Sequence, residues 1–344
     1  MGRFRELRAS GGFVLVAMCL STFTDNFVYS MVIPILPYLL MNNITSSDEI
    51  QQWTSILLAA YGAALLVASP LVGLISDRIQ SRKSPLIFGY IAIAVSTSVF
   101  LFGHSPALLI IARVCQDREE SLPPLAGEEA PLLPPKDGSK ASLHLRDFVD
   151  MRFMTAVLSE ITISSILAAF ETTLPLFTME AYKWSSTNAG LVFLGISLPS
   201  FLSIPLSRYG RDWKRRRTIA IELILAFFPL VALRITDGPS PSHQIGFIAL
   251  VTGAGLFLTT SQAQVMAEVS DAVREIEVTR GVDPNQRSGM GTGYAFCNMA
   301  IAIGQFVGPL IAGYARLYLG WGGMTLVLGG TSAFIGLLSL IVNP

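Results

Sequence analysis

From Gly12 to Leu40 apolar residues run almost unbroken, and the same texture returns eight more times along the chain. The nine stretches lie at roughly 12–40, 53–75, 85–103, 153–177, 188–207, 218–236, 244–266, 290–313 and 321–341. Each is long enough to cross a hydrocarbon core ~30 Å thick, which takes about 20 mostly apolar residues in a helix. The pattern therefore predicts an all-α integral membrane protein. The basic N-terminus ahead of the first run resembles a secretory leader. No small-x-small cleavage site follows, however, and the apolar character continues past Asp25 to "PILPYLL", so a first transmembrane helix is expected.

The polar intervals give the orientation, because Lys and Arg collect on the cytosolic side. Arg3, Arg5 and Arg8 precede the first run; Arg78, Arg82 and Lys83 follow the second; "SRYGRDWKRRR" supplies six basic residues, and Arg274, Arg280 and Arg287 follow the seventh run. The intervening loops carry only Lys183, Arg234 and Arg316. The N-terminus is thus expected in the cytosol. This places loops 77–84 and 208–217 on the same side, so an even number of crossings must separate them. Only three full stretches do so. The segment 106–116 must supply the fourth, yet eleven helical residues rise only about 16 Å. It is a stub, and thinning a membrane to fit it carries a cost for every Å of mismatch.

Composition agrees with the bilayer: 51% of the 344 residues are hydrophobic, 14% are charged, and mean hydropathy is +0.55. Soluble domains carry about 25% charged residues. Cys19, Cys115 and Cys297 all lie in apolar runs and read as buried thiols, while His104, His144 and His243 are scattered. No metal site and no cofactor are expected. "GMGTG" at 289–293 has no strand before it and a membrane helix after it, so a nucleotide loop is dismissed. There is no HExxH, no paired Asp-bearing helix motif and no cysteine–histidine pair, so an intramembrane enzyme is not expected. Nothing suggests a nucleic-acid partner.

The loop after the second run, "GLISDRIQSRKSPL", spaces Gly73, Asp77, Arg78 and Arg82 in a way that resembles the signature of the major facilitator superfamily. Together with "WTSILLAAYGAALLVASP" it resembles fungal drug:proton antiporters related to the vesicular amine transporters. The usual Gly-Arg of that signature is Gln80-Ser81 here. A solvated cytosolic loop is the plainer reading; the resemblance implies pairing of Asp77 and Arg78 that helps to hold one conformation closed. "PLSRYGRDWKRRR" from Pro205 repeats the Pro, Asp and Arg spacing of "PLVGLISDRIQSRK" from Pro70 at an offset of 135 residues, as a duplicated bundle would. "AFETTLPLFTMEAYKWSSTNAGLVFL" and "VMAEVSDAV" are similar to the second half of the same antiporters. "GQFVGPLIAG" sets Gly304, Gly308 and Gly313 around a kink at Pro309, which serves a packing seam as well as a gate.

"ARVCQ" resembles the start of the family's fourth helix, but Asp117 and an acidic, proline-broken run follow directly. The resemblance implies that most of helix four and all of helices five and six are missing. The expected division is a truncated N-terminal bundle at 1–116, a cytosolic interdomain loop at 117–150 and a six-helix bundle at 151–344.

Ionisable groups within the spans are functional candidates by their cost, about 2.5–3.5 kcal/mol for a carboxylate at mid-membrane on insertion scales. Asp25, with Asn26 and Tyr29 beside it, lies near the middle of the first run, while Glu171 and Glu160 are candidates for its counterpart in the second half. Glu222, close to Arg217, reads as structural, paired with or snorkelling to the basic cluster. The resemblance implies that Arg113 faces a central cavity. Tyr29, Phe170, Tyr294 and Asn298 are placed along that cavity by position alone. Asn43 begins an "NIT" glycosylation sequon on the expected outer side. The expectation is a proton-coupled transporter of a small organic molecule, working by alternating access in a plasma, vacuolar or vesicular membrane. Its partners would be the lipid bilayer, that substrate and the proton, with oligomerisation only if needed to complete the bundle. The alternative is a truncated, non-transporting product: a splice form, a degraded gene or a faulty gene model.

Overall fold

In the computed structural model, residues 33–41, 46–76, 150–197, 213–279 and 289–342 are described. Helix α1 covers 33–41, α2 Ser47–Ser76, α3 Met151–Tyr182, α4 Ser186–Ser197 and α5 Trp213–Ala232, which continues as a 3-10 turn at Leu233–Thr236. Helix α6 is Pro241–Thr279 and α7 is Gly289–Val342. There are no strands among the described residues.

Helix α7 joins the last two predicted spans. Its two arms meet at Gly320, whose backbone (φ 71°, ψ −177°) is not helical. That region of φ costs a side-chain-bearing residue a clash with its own backbone, so glycine suits the turn. Helix α6 is longer than expected and runs thirteen residues beyond Met266 into what the charge pattern marked as loop. The reason is visible in its packing: Glu268, Asp271 and Glu275 are held by arginines of α3 and α5.

Five helices are long and apolar enough to cross a membrane, at Ser47–Val67, Met151–Tyr182, Arg215–Thr236, Pro241–Thr279 and Gly293–Val342. Counting the arms of α7 separately, they account for six of the nine predicted spans. Span 85–103 and the stub at 106–116 lie outside the described residues, and 12–40 and 188–207 are described only in part. Apolar side chains that project outward, among them Phe228 on α5 and Phe334, Leu337 and Ile341 on α7, suit contact with lipid chains.

Helix directions follow from paired contacts. The first arm of α7 runs parallel to α3, since Gly304 meets Ser164 and Arg316 meets Thr173; it runs antiparallel to α2, where its Gly313 meets Ser55. Helix α6 is antiparallel to both α3 and α5, and the second arm of α7 is antiparallel to α5. The start of α2, the ends of α3 and α5, the start of α6 and the Gly320 turn therefore share one end of the bundle. These are the intervals that the Lys/Arg count placed on a common side.

Candidate functional site

Three polar layers cross the described helices. The middle one is built on a single turn of α6, "SQAQ" from Ser261 to Gln264. Gln262 Nε2 donates to Glu160 Oε1 of α3 at 2.9 Å, and Ser164, one turn along α3, donates to the same oxygen at 3.2 Å. On the other side of α6, Ser261 Oγ donates to Glu222 Oε2 and Gln264 Nε2 to Glu222 Oε1, both at 2.9 Å. Glu160 has no exposed surface and Glu222 is buried. These donors are neutral, and Glu160 Oε2 has no hydrogen-bond partner. An anion removed from water is costly unless it is paired and fully hydrogen-bonded.

A turn and a half of helix beyond Arg217 carries Glu222 to α6, where the Ser261 hydroxyl and the Gln264 carboxamide donate to it. Glu171 is partly buried on α3, and eleven residues set it about 16 Å from Glu160 along the axis, so the two do not form one site. Phe170 is fully buried in the core with Ile166 and Leu174. Tyr294 is exposed and its hydroxyl lies 3.2 Å from Ser270 Oγ, while Asn298 is partly buried on the same arm of α7.

The glycine motif of α7 is a close-packed seam. A Cβ on Gly304 would come within 2.5 Å of Ser164 Cβ, and one on Gly308 within 2.3 Å of the Ser165 carbonyl oxygen. Gly304 thus brings α7 against the turn of α3 whose Ser164 hydroxyl serves Glu160. Gly313 approaches Ser55 of α2, and Gly62 of α2 in turn packs on the backbone of Gln305 and Phe306. Pro309 is buried within the arm.

The second layer lies where α3 and α5 begin. Glu268 Oε1 accepts from Arg152 Nε at 2.6 Å and from Arg216 Nε at 2.9 Å; Arg152 also pairs with Glu275, and Arg215 with Asp271. The third lies at the opposite end. Arg316 donates to Glu180 at 2.6 Å, to Gln51 Oε1 at 2.7 Å and to the Thr173 carbonyl at 3.1 Å. Beside it opens a cavity of about 390 Å³, bordered by Asp48, Asp237 and the stacked rings of Phe177 and Trp321. Sequence reasoning passed over Arg316, Gln51, Glu268 and Gln262. Arg316 had been counted only as a loop charge, and polar residues with no repeated spacing carry no periodic signal.

Asp25, Tyr29, Asn43, Asp77, Arg78, Arg82 and Arg113 lie outside the described residues; Gly73 is in α2. Among the described residues, no group of three or more His, Cys, Asp and Glu is arranged to hold a metal ion.

Residues 18–117 match the Major Facilitator Superfamily. Over 110 residues the chain is 37% identical to the uncharacterized MFS-type transporter C18.02 of Schizosaccharomyces pombe, covering 32% of this chain and 25% of that protein. It is 29% identical over 119 residues to the probable vesicular acetylcholine transporter-B of Danio rerio, covering 33% of this chain and 24% of that one. These matches span about a quarter of the length of the curated relatives. The fold matches that of the human organic anion transporter MFSD10 (TETRAN) with a TM-score of 0.61 at 17% identity, covering 96% of this chain and 99% of that chain. The architecture is therefore that of a facilitator-type helical bundle, and the family match covers residues 18–117.

Proposed function

We propose that the chain is a secondary transporter of the facilitator type that exchanges a proton for a small organic molecule by alternating access. The observation that carries this reading is Glu160, a carboxylate with no exposed surface on a membrane-spanning helix, held by neutral donors and with one oxygen unpartnered. A membrane protein keeps such a group where a proton or cation must be bound and released. Asp25 is its proposed counterpart in the N-terminal bundle, and the division at 117–150 separates the two halves. In this reading the Arg316 end faces outward and the Glu268 end faces the cytosol, as the basic residues of the loops suggest.

The test is proton flux in liposomes that contain the purified chain and a trapped pH-sensitive dye. A panel of organic cations and anions is added in turn. At least one compound is expected to evoke flux, and Asp25→Asn and Glu160→Gln are each expected to abolish it. Evoked flux that survives both substitutions would remove proton exchange at these carboxylates from the reading.

A second reading is favoured by one specific observation. The family match stops at Asp117, where the segment that resembles the start of helix four gives way to the acidic run. A bundle lacking helices five and six would expose Asp25 to lipid and leave small-residue seams without partners. In that reading the chain is a non-transporting product of a longer gene. Genomic DNA between the codons for Gln116 and Asp117 that encodes about two and a half further apolar helices supports it, as does a silent liposome assay across the whole panel.

A further inference from the structure

Arg316 is the point at which three helices meet. Its side chain is only 10% exposed, and its three hydrogen-bond partners come from two helices that the proposed division assigns to different halves. Glu180 and the Thr173 carbonyl belong to α3, in the same half as α7. Gln51 belongs to α2, in the other. Gln51 crosses the seam a second time, since its Nε2 lies 3.4 Å from the Thr172 carbonyl oxygen. At the same end Tyr38 of α1 donates to the Trp184 carbonyl oxygen at 2.5 Å. Every one of these contacts between α1 or α2 and the C-terminal helices involves a neutral group on the α1 or α2 side, whereas the ion pair lies wholly on the other side.

This division of labour has a physical consequence. Parting two opposite charges across a poorly hydrated seam would leave both unpaired, which is far costlier than parting a charge from a carboxamide. If α2 swings away from α7, Arg316 gives up its hydrogen bond to Gln51 and the longer-range attraction of Asp48, which lies on the rim of the adjoining cavity, and keeps its direct partners Glu180 and Thr173. Arg316 also borders the adjoining cavity of about 390 Å³, together with Asp48 and Asp237.

We propose that Gln51 and Arg316 form a latch closing the outer end between the two halves, with Glu180 placed so that Arg316 stays paired when the latch opens. The proposal rests on the alternating-access reading and gives it a named contact that must break. A carboxamide hydrogen bond to a charged group also sets a moderate strength: enough to bias the closed state, and not enough to trap it.

The test uses the full chain in lipid nanodiscs with Cys19 and Cys115 changed to Ser and Cys297 to Ala. Spin labels are placed through Glu49→Cys and Leu319→Cys, two exposed positions on α2 and α7 at this end. Pulsed dipolar distance measurement then reports the ratio of short to long separations. Gln51→Ala is expected to shift that ratio about 10-fold or more toward long separations. Gln51→Glu, which puts a charge pair across the seam, is expected to shift it toward short ones. A substitution that merely disturbs folding does not produce opposite shifts at one position. Shifts in the same direction, or no shift in either variant, overturn the latch. Compound-evoked proton flux is measured on the same variants: distance shifts without flux defeat the transport reading and leave the latch standing, and flux without shifts does the reverse.

Discussion

Adding a single methyl group at Gly308 tests how closely α7 depends on α3. An ideal Cβ there would stand 2.3 Å from the Ser165 carbonyl oxygen and 2.9 Å from its carbon, about 1 Å short of ordinary contact. The obstacle is backbone and cannot rotate away, so in Gly308→Ala the two helices must part along the seam that also contains Gly304. Overpacking of this kind costs about 1–3 kcal/mol. Alanine also favours the helix by about 1 kcal/mol over glycine, which masks part of that cost. Gly330 supplies the control: it is on the second arm of α7, exposed, and a Cβ there meets nothing within 4 Å. Gly330→Ala takes the propensity gain without the clash, so the difference between the two variants isolates the seam. The melting midpoint of Gly308→Ala in detergent is expected to lie about 3–10 °C below that of Gly330→Ala. With Cys19 and Cys115 changed to Ser in both variants, a thiol-reactive dye can follow it, because Cys297 is buried in the folded bundle. Equal midpoints, or a higher one for Gly308→Ala, would refute the close approach on which the helix arrangement rests.

Two further substitutions test the layers at either end. Glu268→Ala strips Arg216 and the Nε of Arg152 of a nearly buried carboxylate partner and should cost about 3–5 kcal/mol, read as a lower melting midpoint that high salt does not restore. Trp321→Phe keeps an aromatic face against Phe177 but loses the 3.0 Å hydrogen bond from Trp321 Nε1 to the Leu233 carbonyl. It should cost about 1 kcal/mol, against about 3–5 kcal/mol for Trp321→Ala, and comparable losses in the two variants would show that stacking contributes little.

The helices were legible in the sequence because burial in lipid requires long apolar runs, and those runs are what the chain displays. The end of α6 was not, since its last turns are polar and owe their helical state to arginines on α3 and α5 that are distant in sequence. The break at Gly320 was legible as a gap between two apolar runs, though nothing in the residues showed that the helix would resume at once. Of the candidate site, Glu160 was visible as an acid in an apolar run. Its partner Gln262 was not, because a lone glutamine in a helix carries no sign of which neighbour it will face. The partners of Glu222 were hidden for the same reason: nearness in sequence to Arg217 drew attention to the basic cluster, while its hydrogen bonds come from Ser261 and Gln264 of α6.

The charges sort by what they join. Helices α3, α5 and α6 are tied at one end by the ion pairs around Glu268, and at the other by Tyr182, Trp184, Phe247 and Trp321, whose rings pack together while Tyr182 donates to Thr236 and Trp321 to Leu233. Contacts of that kind are lost only at a cost of several kcal/mol, so these helices and α7 should move as one body. The seam with α1 and α2 has glycine approaches at Gly62 and Gly313 and hydrogen bonds in which the α1 or α2 partner is neutral. Smooth, small-residue surfaces with few strong bonds are the ones along which packed helices can slide or part. Among the described residues, the seam with the fewer strong bonds falls between the helices that the proposed division assigns to different halves, and the buried carboxylates Glu160 and Glu222 lie on the other side of it with all their hydrogen-bond donors.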